Sequence, residues 1–129
     1  MLKTHNPPTI APPGGAYNHV VEVPPGARWA LLAGQVGITV DGVVPEGFDA
    51  QHEQVWKNCI AGLAHVGMLA RDIVRITLYG TEAEFIKNVA SVRIKHLGDH
   101  RPGSTWLVVK ALARPNLLCE MDIIAAKVD

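Results

Sequence analysis

Cysteine is nearly absent. Cys59 and Cys119 are the only two in 129 residues, and neither has a CxxC partner. Such a pair builds no disulfide framework and no cysteine-rich zinc site, so both read as free, buried thiols of a cytoplasmic protein. An excess of either charge is also missing. Twelve Lys and Arg balance twelve Asp and Glu, so neither nucleic acid nor an anionic membrane is an expected partner. No apolar run approaches the roughly 18 residues a membrane span needs. No basic stretch precedes an apolar one at the start, so no secretory signal is expected. The sequence has no P-loop, no GxGxxG and no GxSxG, hence no phosphate cradle and no nucleophile elbow. Trp29, Trp56 and Trp106 stand without a basic stripe, so they read as core or interface groups rather than base-stacking platforms. The length fits a single domain over 1–129 with one core.

Proline and glycine are concentrated where order is least expected. Pro7-Pro8 and Pro12-Pro13-Gly14-Gly15 predict an extended arm. Tyr17 to Val23 reads as a short strand, and Pro24-Pro25-Gly26 as a turn. Trp29 to Val36 is a nearly continuous apolar run, the pattern of a strand covered on both faces. Asp41-Gly42 predicts a type I′ hairpin between Ile38-Thr39-Val40 and Val43-Val44. A helix follows, with Asp49 as its cap, Gly67 as its stop, and Val55, Cys59, Ile60, Leu63 and Val66 as its apolar stripe. Ile73 to Tyr79 is the next strand, with Val74, Ile76 and Leu78 opposite Arg75, Thr77 and Tyr79. Thr81 and Glu84 predict a capping box for a second helix. That helix puts Phe85, Val89, Val92 and His96 on one face and ends at Gly98. Thr105 to Leu112 and Leu118 to Val128 are the last strands, joined by a turn at Arg114-Pro115-Asn116.

This order implies an α+β fold with both helices on one face of a sheet. The last two strands carry apolar residues on both sides, so the other face is left greasy. Self-association through it follows from the pattern, because a soluble monomer rarely exposes a large apolar patch.

Chemistry-bearing residues are few. His96, Asp99 and His100 lie within five residues, but Gly98 interrupts them, so hydrogen bonds at a helix end explain them better than a metal does. Glu120 and Asp122 share one face of an apolar strand. Carboxylates there must be hydrogen-bonded, paired, or raised in pKa as a general base would be. A structural pair with Arg75 or Lys110 is the competing account. Gly34-Gln35 within a buried strand marks either a bulge or a close backbone approach.

Five segments in order resemble the RidA/YjgF family: Gly15-Ala16-Tyr17; Leu31-Leu32-Ala33-Gly34-Gln35-Val36; Asp41-Gly42 through Asn58; Gly98-Asp99-His100-Arg101-Pro102; and Ala111-Leu112-Ala113-Arg114-Pro115 through Asp122. The resemblance implies a chorismate-mutase-like α+β fold, a homotrimer whose sheets form a central barrel, and clefts between subunits that bind small carboxylates. Active members hydrolyse enamines and imines to 2-keto acids and ammonia without a cofactor. Carried over position by position, the family tyrosine falls on Tyr17, the glycine of S-G-Q on Gly34, and the acidic residue associated with water on Glu120. The serine of S-G-Q is Ala33 here. The arginine that grips the substrate carboxylate follows Pro-Ala in active members, and the matching stretch is Pro102-Gly103-Ser104-Thr105. Ser104 therefore stands in its place.

A serine offers one neutral donor where a guanidinium offers a planar fork. Losing it would weaken a simple imino acid's binding by at least ~10–100-fold. The expected site is therefore a cleft lined by Tyr17, Gly34, Ser104, Trp106 and Glu120, with Arg101, Lys110 and Arg114 as the cations weighed as substitutes. Glu120 would be the catalytic residue. The sequence reading is a small-metabolite-binding protein, an imine or enamine hydrolase at most and not a general 2-imino acid deaminase. Two alternatives stand beside it: an active deaminase with a relocated cation, and a non-enzymatic interaction protein. No metal or cofactor is expected.

Overall fold

The structure is a computed structural model that describes residues 1–129. Two short strands, β1 (Lys3–His5) and β2 (Val20–Glu22), pair antiparallel at the start of the chain. The main sheet is built from β3 (Arg28–Val36), β4 (Ile73–Gly80), β5 (Gly103–Val108) and β6 (Cys119–Lys127), in the order β3-β6-β4-β5. Only the β4–β5 pair is parallel, and its crossover carries α2 (Val89–Leu97); α1 (Phe48–His65) connects β3 to β4. This is the α+β architecture with two helices that the residue pattern implied.

The period-two pattern of β6 shows how the layers form. Cys119, Met121, Ile123 and Ala125 are buried against the helices with Val55, Trp56, Cys59 and Leu63 of α1. Glu120, Asp122 and Ile124 alternate with them and are only half-buried. Beside them the outer face of β3 leaves Trp29 53% and Leu31 73% exposed, and β5 leaves Leu107 46% exposed. In a single chain β3 is thus covered on one face, not the two that its apolar run predicted.

Several local expectations need correction. The arm is extended as proline requires, but only Val20–Glu22 of the first predicted strand pairs. The Asp41-Gly42 hairpin is a turn without strands. The Gly42 N–H donates to the Thr39 carbonyl, and among its residues only Gly42 has positive φ, at 84°. A type I′ turn needs positive φ at both central residues, and Val40 and Asp41 do not adopt it. Asp49 lies inside the first turn of α1, after Gly47 at the cap position, and accepts from the Asn88 amide. Gly67 does end the helix, at φ 73°. Thr81 and Glu84 form no capping box. The Thr81 hydroxyl points to the Leu118 carbonyl, and residues 83–88 make a 3-10 turn before α2 begins. β5 stops at Val108, four residues early.

Gln51 and Asn58 tie α1 to the sheet. The Gln51 amide donates to the carbonyls of Pro45 and Asn116, and its oxygen accepts from the Leu118 N–H. Asn58 donates to the carbonyls of Val36 and Ile38, where β3 ends. Both cysteines are buried in this core, and burial pushes both thiols up to about 12.

Candidate ligand-binding cleft

The site begins with the proline-rich arm, which has no ladder of its own and is held by side chains. The Asn18 N–H donates to the Pro102 carbonyl and its amide to that of Arg101. Asn6 in turn donates to Asn18 and accepts from the His19 N–H. Tyr17 is thereby laid against the start of β5, and its hydroxyl accepts from the Gly14 N–H at 3.3 Å.

Parallel pairing sets the opposite wall. Ser104 and Trp106 are in register with Ile76 and Leu78 of β4. They therefore face the helix layer, at the sheet edge that the helices leave uncovered. The indole of Trp106 lies on Gly80, where any Cβ would overlap the ring. Ile86, Val89, Ala90 and Arg93 close the third side from α2 and the turn before it. Together with residues 14–17 these groups enclose a cleft of about 440 Å³, within the usual range for small-molecule sites.

The structure brings together three of the residues expected at the site: Tyr17, Ser104 and Trp106. Gly34 and Glu120 meet each other elsewhere. A register shift between Leu32 and Gln35 makes a bulge in β3, and the Glu120 carboxylate lies across Gly34 where a Cβ would collide with it. Bulge and close approach, offered by the sequence as alternatives, are both present. This second pair sits on the open face of the sheet, so within one chain the two groups do not share a cavity. Arg101 is outside the cleft lining and donates to the carbonyls of Gly98 and His100 in its own loop. Lys110 and Arg114 do not line it either.

The remaining candidates have local partners. Asp122 accepts from the Tyr79 hydroxyl at 2.9 Å, which raises the Tyr79 pKa. Arg75 donates to Thr105 rather than to a carboxylate. His96 sits 3.0 Å from Glu53, and His100 sits 2.7 Å from the Ile73 carbonyl, so the two imidazoles are used apart. Trp56 is a core residue stacked on His96.

One residue of the cleft lining escaped the sequence reading. Arg93 lines the cleft and is buried. His52, fully buried behind it and 5.1 Å from the Phe48 ring, has no hydrogen-bond partner on either nitrogen. Desolvation, aided by the Arg93 charge, lowers its pKa to about 4. The signal for Arg93 was its spacing: it stands four residues from Val89 and four from Leu97, both buried on α2. A cation on an apolar stripe is a departure worth following.

Comparison with known proteins agrees with this architecture. Residues 9–127 match the family model described as endoribonuclease L-PSP. A RutC family protein of Aquifex aeolicus is 31% identical over 98% of both chains. Among solved structures, the Rid-family protein YyfB of Yersinia pestis, described as of unknown function, superposes with a TM-score of 0.88 at 26% identity, covering 98% of each chain. A putative endoribonuclease of Thermotoga maritima gives 0.75 at 30% identity, over 92% of this chain and 93% of that one. The chain belongs to the RidA/YjgF family, the family of the endoribonuclease L-PSP model.

Proposed function

We propose that this protein binds a small metabolite in clefts completed by neighbouring copies of a homotrimer, and that hydrolysis of an imine or enamine is the chemistry the completed cleft performs. The observation that carries the reading is the division of the site. Tyr17, Ser104 and Trp106 wall an open cleft on the helix side. Glu120, whose carboxylate makes no hydrogen bond in its own chain, lies over Gly34 on a face that also exposes Trp29, Leu31 and Leu107. A second copy packed on that apolar face would cover it and could set one copy's carboxylate at another's cleft.

In that arrangement Glu120 orients water and takes its proton as a general base. Hydrogen-bond donors near Ser104 hold the carbon–nitrogen unit as charge develops on it. Water adds across the C=N bond, ammonia leaves, and a carbonyl compound remains, so no cofactor is consumed. Ser104 at the position of the family arginine supports a narrower range than general 2-imino acid hydrolysis.

Two measurements test this. Mass in dilute buffer should correspond to three chains; a lone chain refutes the shared cleft. In a coupled assay, an amino-acid oxidase generates imines beside a scavenger, and keto-acid release is timed with this protein and with Glu120→Gln. Acceleration for a subset of amino acids, lost in the variant, is expected. No acceleration, together with no small molecule raising thermal stability, would leave a protein that acts through binding partners instead.

A further inference from the structure

Gly80 is a glycine that its own backbone does not require. Its φ is not positive, unlike that of Gly26, Gly42, Gly47, Gly67 and Gly98. It ends β4, and glycine weakens a strand. What needs the room is Trp106. The six-membered edge of the indole fills the space that a Gly80 side chain would take. Trp106 packs with one part on the core and lines the cleft with another. The ring thus reaches along the sheet, and the cleft beside it keeps about 440 Å³.

The rest of the lining suits an aromatic guest. Tyr17 stands on the opposite wall, its ring edge-on to His19 with centroids 5.8 Å apart. Ile86, Val89 and Ala90 add aliphatic groups from the helix side, and Ile86 is left 46% exposed. Arg93 is the one charged lining residue. In a trimer whose neighbouring Glu120 reaches this cleft, that carboxylate offsets Arg93, and discrimination among ligands falls to the uncharged walls.

We infer that Trp106 is the specificity-determining residue of the cleft, a fixed aromatic surface that selects substrates whose side group is itself an aromatic ring. The inference rests on reading the cleft as an imine or enamine site, and it names the side group of that substrate. Aromatic pairs gain more than the area they bury. A ring already seated over Gly80 also loses little freedom when a ligand arrives. A branched aliphatic group buries apolar area without that geometry. A cationic group also seeks an indole face, but the lining has no carboxylate of its own to hold one.

The test titrates the intact protein with three 2-keto acids, the hydrolysis products of the imines formed from phenylalanine, leucine and alanine. These are phenylpyruvate, 4-methyl-2-oxopentanoate and pyruvate. All three share the keto carboxylate, so differences between them isolate the side group. Calorimetry should rank them in that order, phenylpyruvate binding about tenfold more tightly than pyruvate. Trp106→Leu keeps apolar volume without the aromatic face, and should bring phenylpyruvate level with 4-methyl-2-oxopentanoate. Trp106→Phe should keep the ranking. Gly80 is not part of the lining, yet Gly80→Ala should act like Trp106→Leu because it displaces the ring. If Trp106→Leu fails to fold, Gly80→Ala and Trp106→Phe decide the matter.

A purely structural tryptophan would lower the melting temperature or the assembled mass and leave the ranking intact, which overturns the inference. So does level binding of phenylpyruvate and 4-methyl-2-oxopentanoate in the unmodified protein. Hydrolysis is scored separately, by timing keto-acid release from the three imines. Ranked binding without acceleration keeps the aromatic preference and removes the hydrolase. Acceleration with no favour for the phenylalanine imine keeps the hydrolase and removes the inference. Failure of all three keto acids to bind, with no acceleration, removes the ligand-site reading and the inference with it.

Discussion

His52 should make this protein sensitive to mild acid. Its imidazole is fully buried, has no hydrogen bond, and has its pKa lowered from 6.5 to about 4 by desolvation first and by the Arg93 charge second; Glu53 and Asp49 pull the other way. The sign follows from proton counting. Between those two values the unfolded chain binds a proton that the folded chain refuses, so stability falls as pH drops through this window. Integrating the linkage relation gives a loss of about 2 kcal/mol by pH 5 and about 3 kcal/mol by pH 4, relative to pH 7.5. Replacing the ring by leucine removes the titration and keeps the site apolar. Urea unfolding at matched protein concentration would compare the protein with His52→Leu at pH 7.5, 6.5, 5.5 and 5. The unmodified protein should lose about 1 M more of its midpoint than the variant over that range. Parallel profiles would show that the ring is solvated or paired, and the reasoning would fail.

Four further substitutions, one of them a control, probe packing that the structure makes specific. At Gly37 a methyl group would meet the backbone of Gln51 at 2.7–2.8 Å. Gly37→Ala should therefore cost about 1–3 kcal/mol in thermal or chemical unfolding, whereas Gly14→Ala, with nothing within 4 Å, should stay within about 0.5 kcal/mol. Gln51→Leu strands the carbonyls of Pro45 and Asn116 and the N–H of Leu118. A loss of about 2–4 kcal/mol is expected, and hydrogen exchange at Leu118 should accelerate if the clamp is real. Gly80→Ala forces the Trp106 indole off its seat; its fluorescence should shift, while an unchanged spectrum would place the ring elsewhere.

Much of the fold could be read from residue order alone. The alternation on β6 and the helical stripe of Val55, Cys59 and Leu63 identify the buried layer correctly, because side-chain periodicity is a local property of the backbone. Gly67 and Gly98 mark helix ends at positive φ, again a local matter. The misreadings were also local in origin. Asp41-Gly42 and Thr81-Glu84 have the composition of a hairpin and a capping box, but the backbone of each is drawn to a partner far along the chain or to a different turn.

The site divides along the same line. Tyr17, Ser104, Gly34 and Glu120 are visible as positions in motifs, and length with strand patterning argues for one domain with a greasy sheet face. Chain folding settled which of them meet. The order β3-β6-β4-β5 separates Ser104 from Glu120 by one strand, and side-chain alternation sends them to opposite faces. It also brought Arg93 beside Ser104 although ten residues lie between them, because a parallel crossover returns the chain along the same edge of the sheet. Periodicity tells which side of an element is buried; what it is buried against depends on contacts between elements distant in sequence.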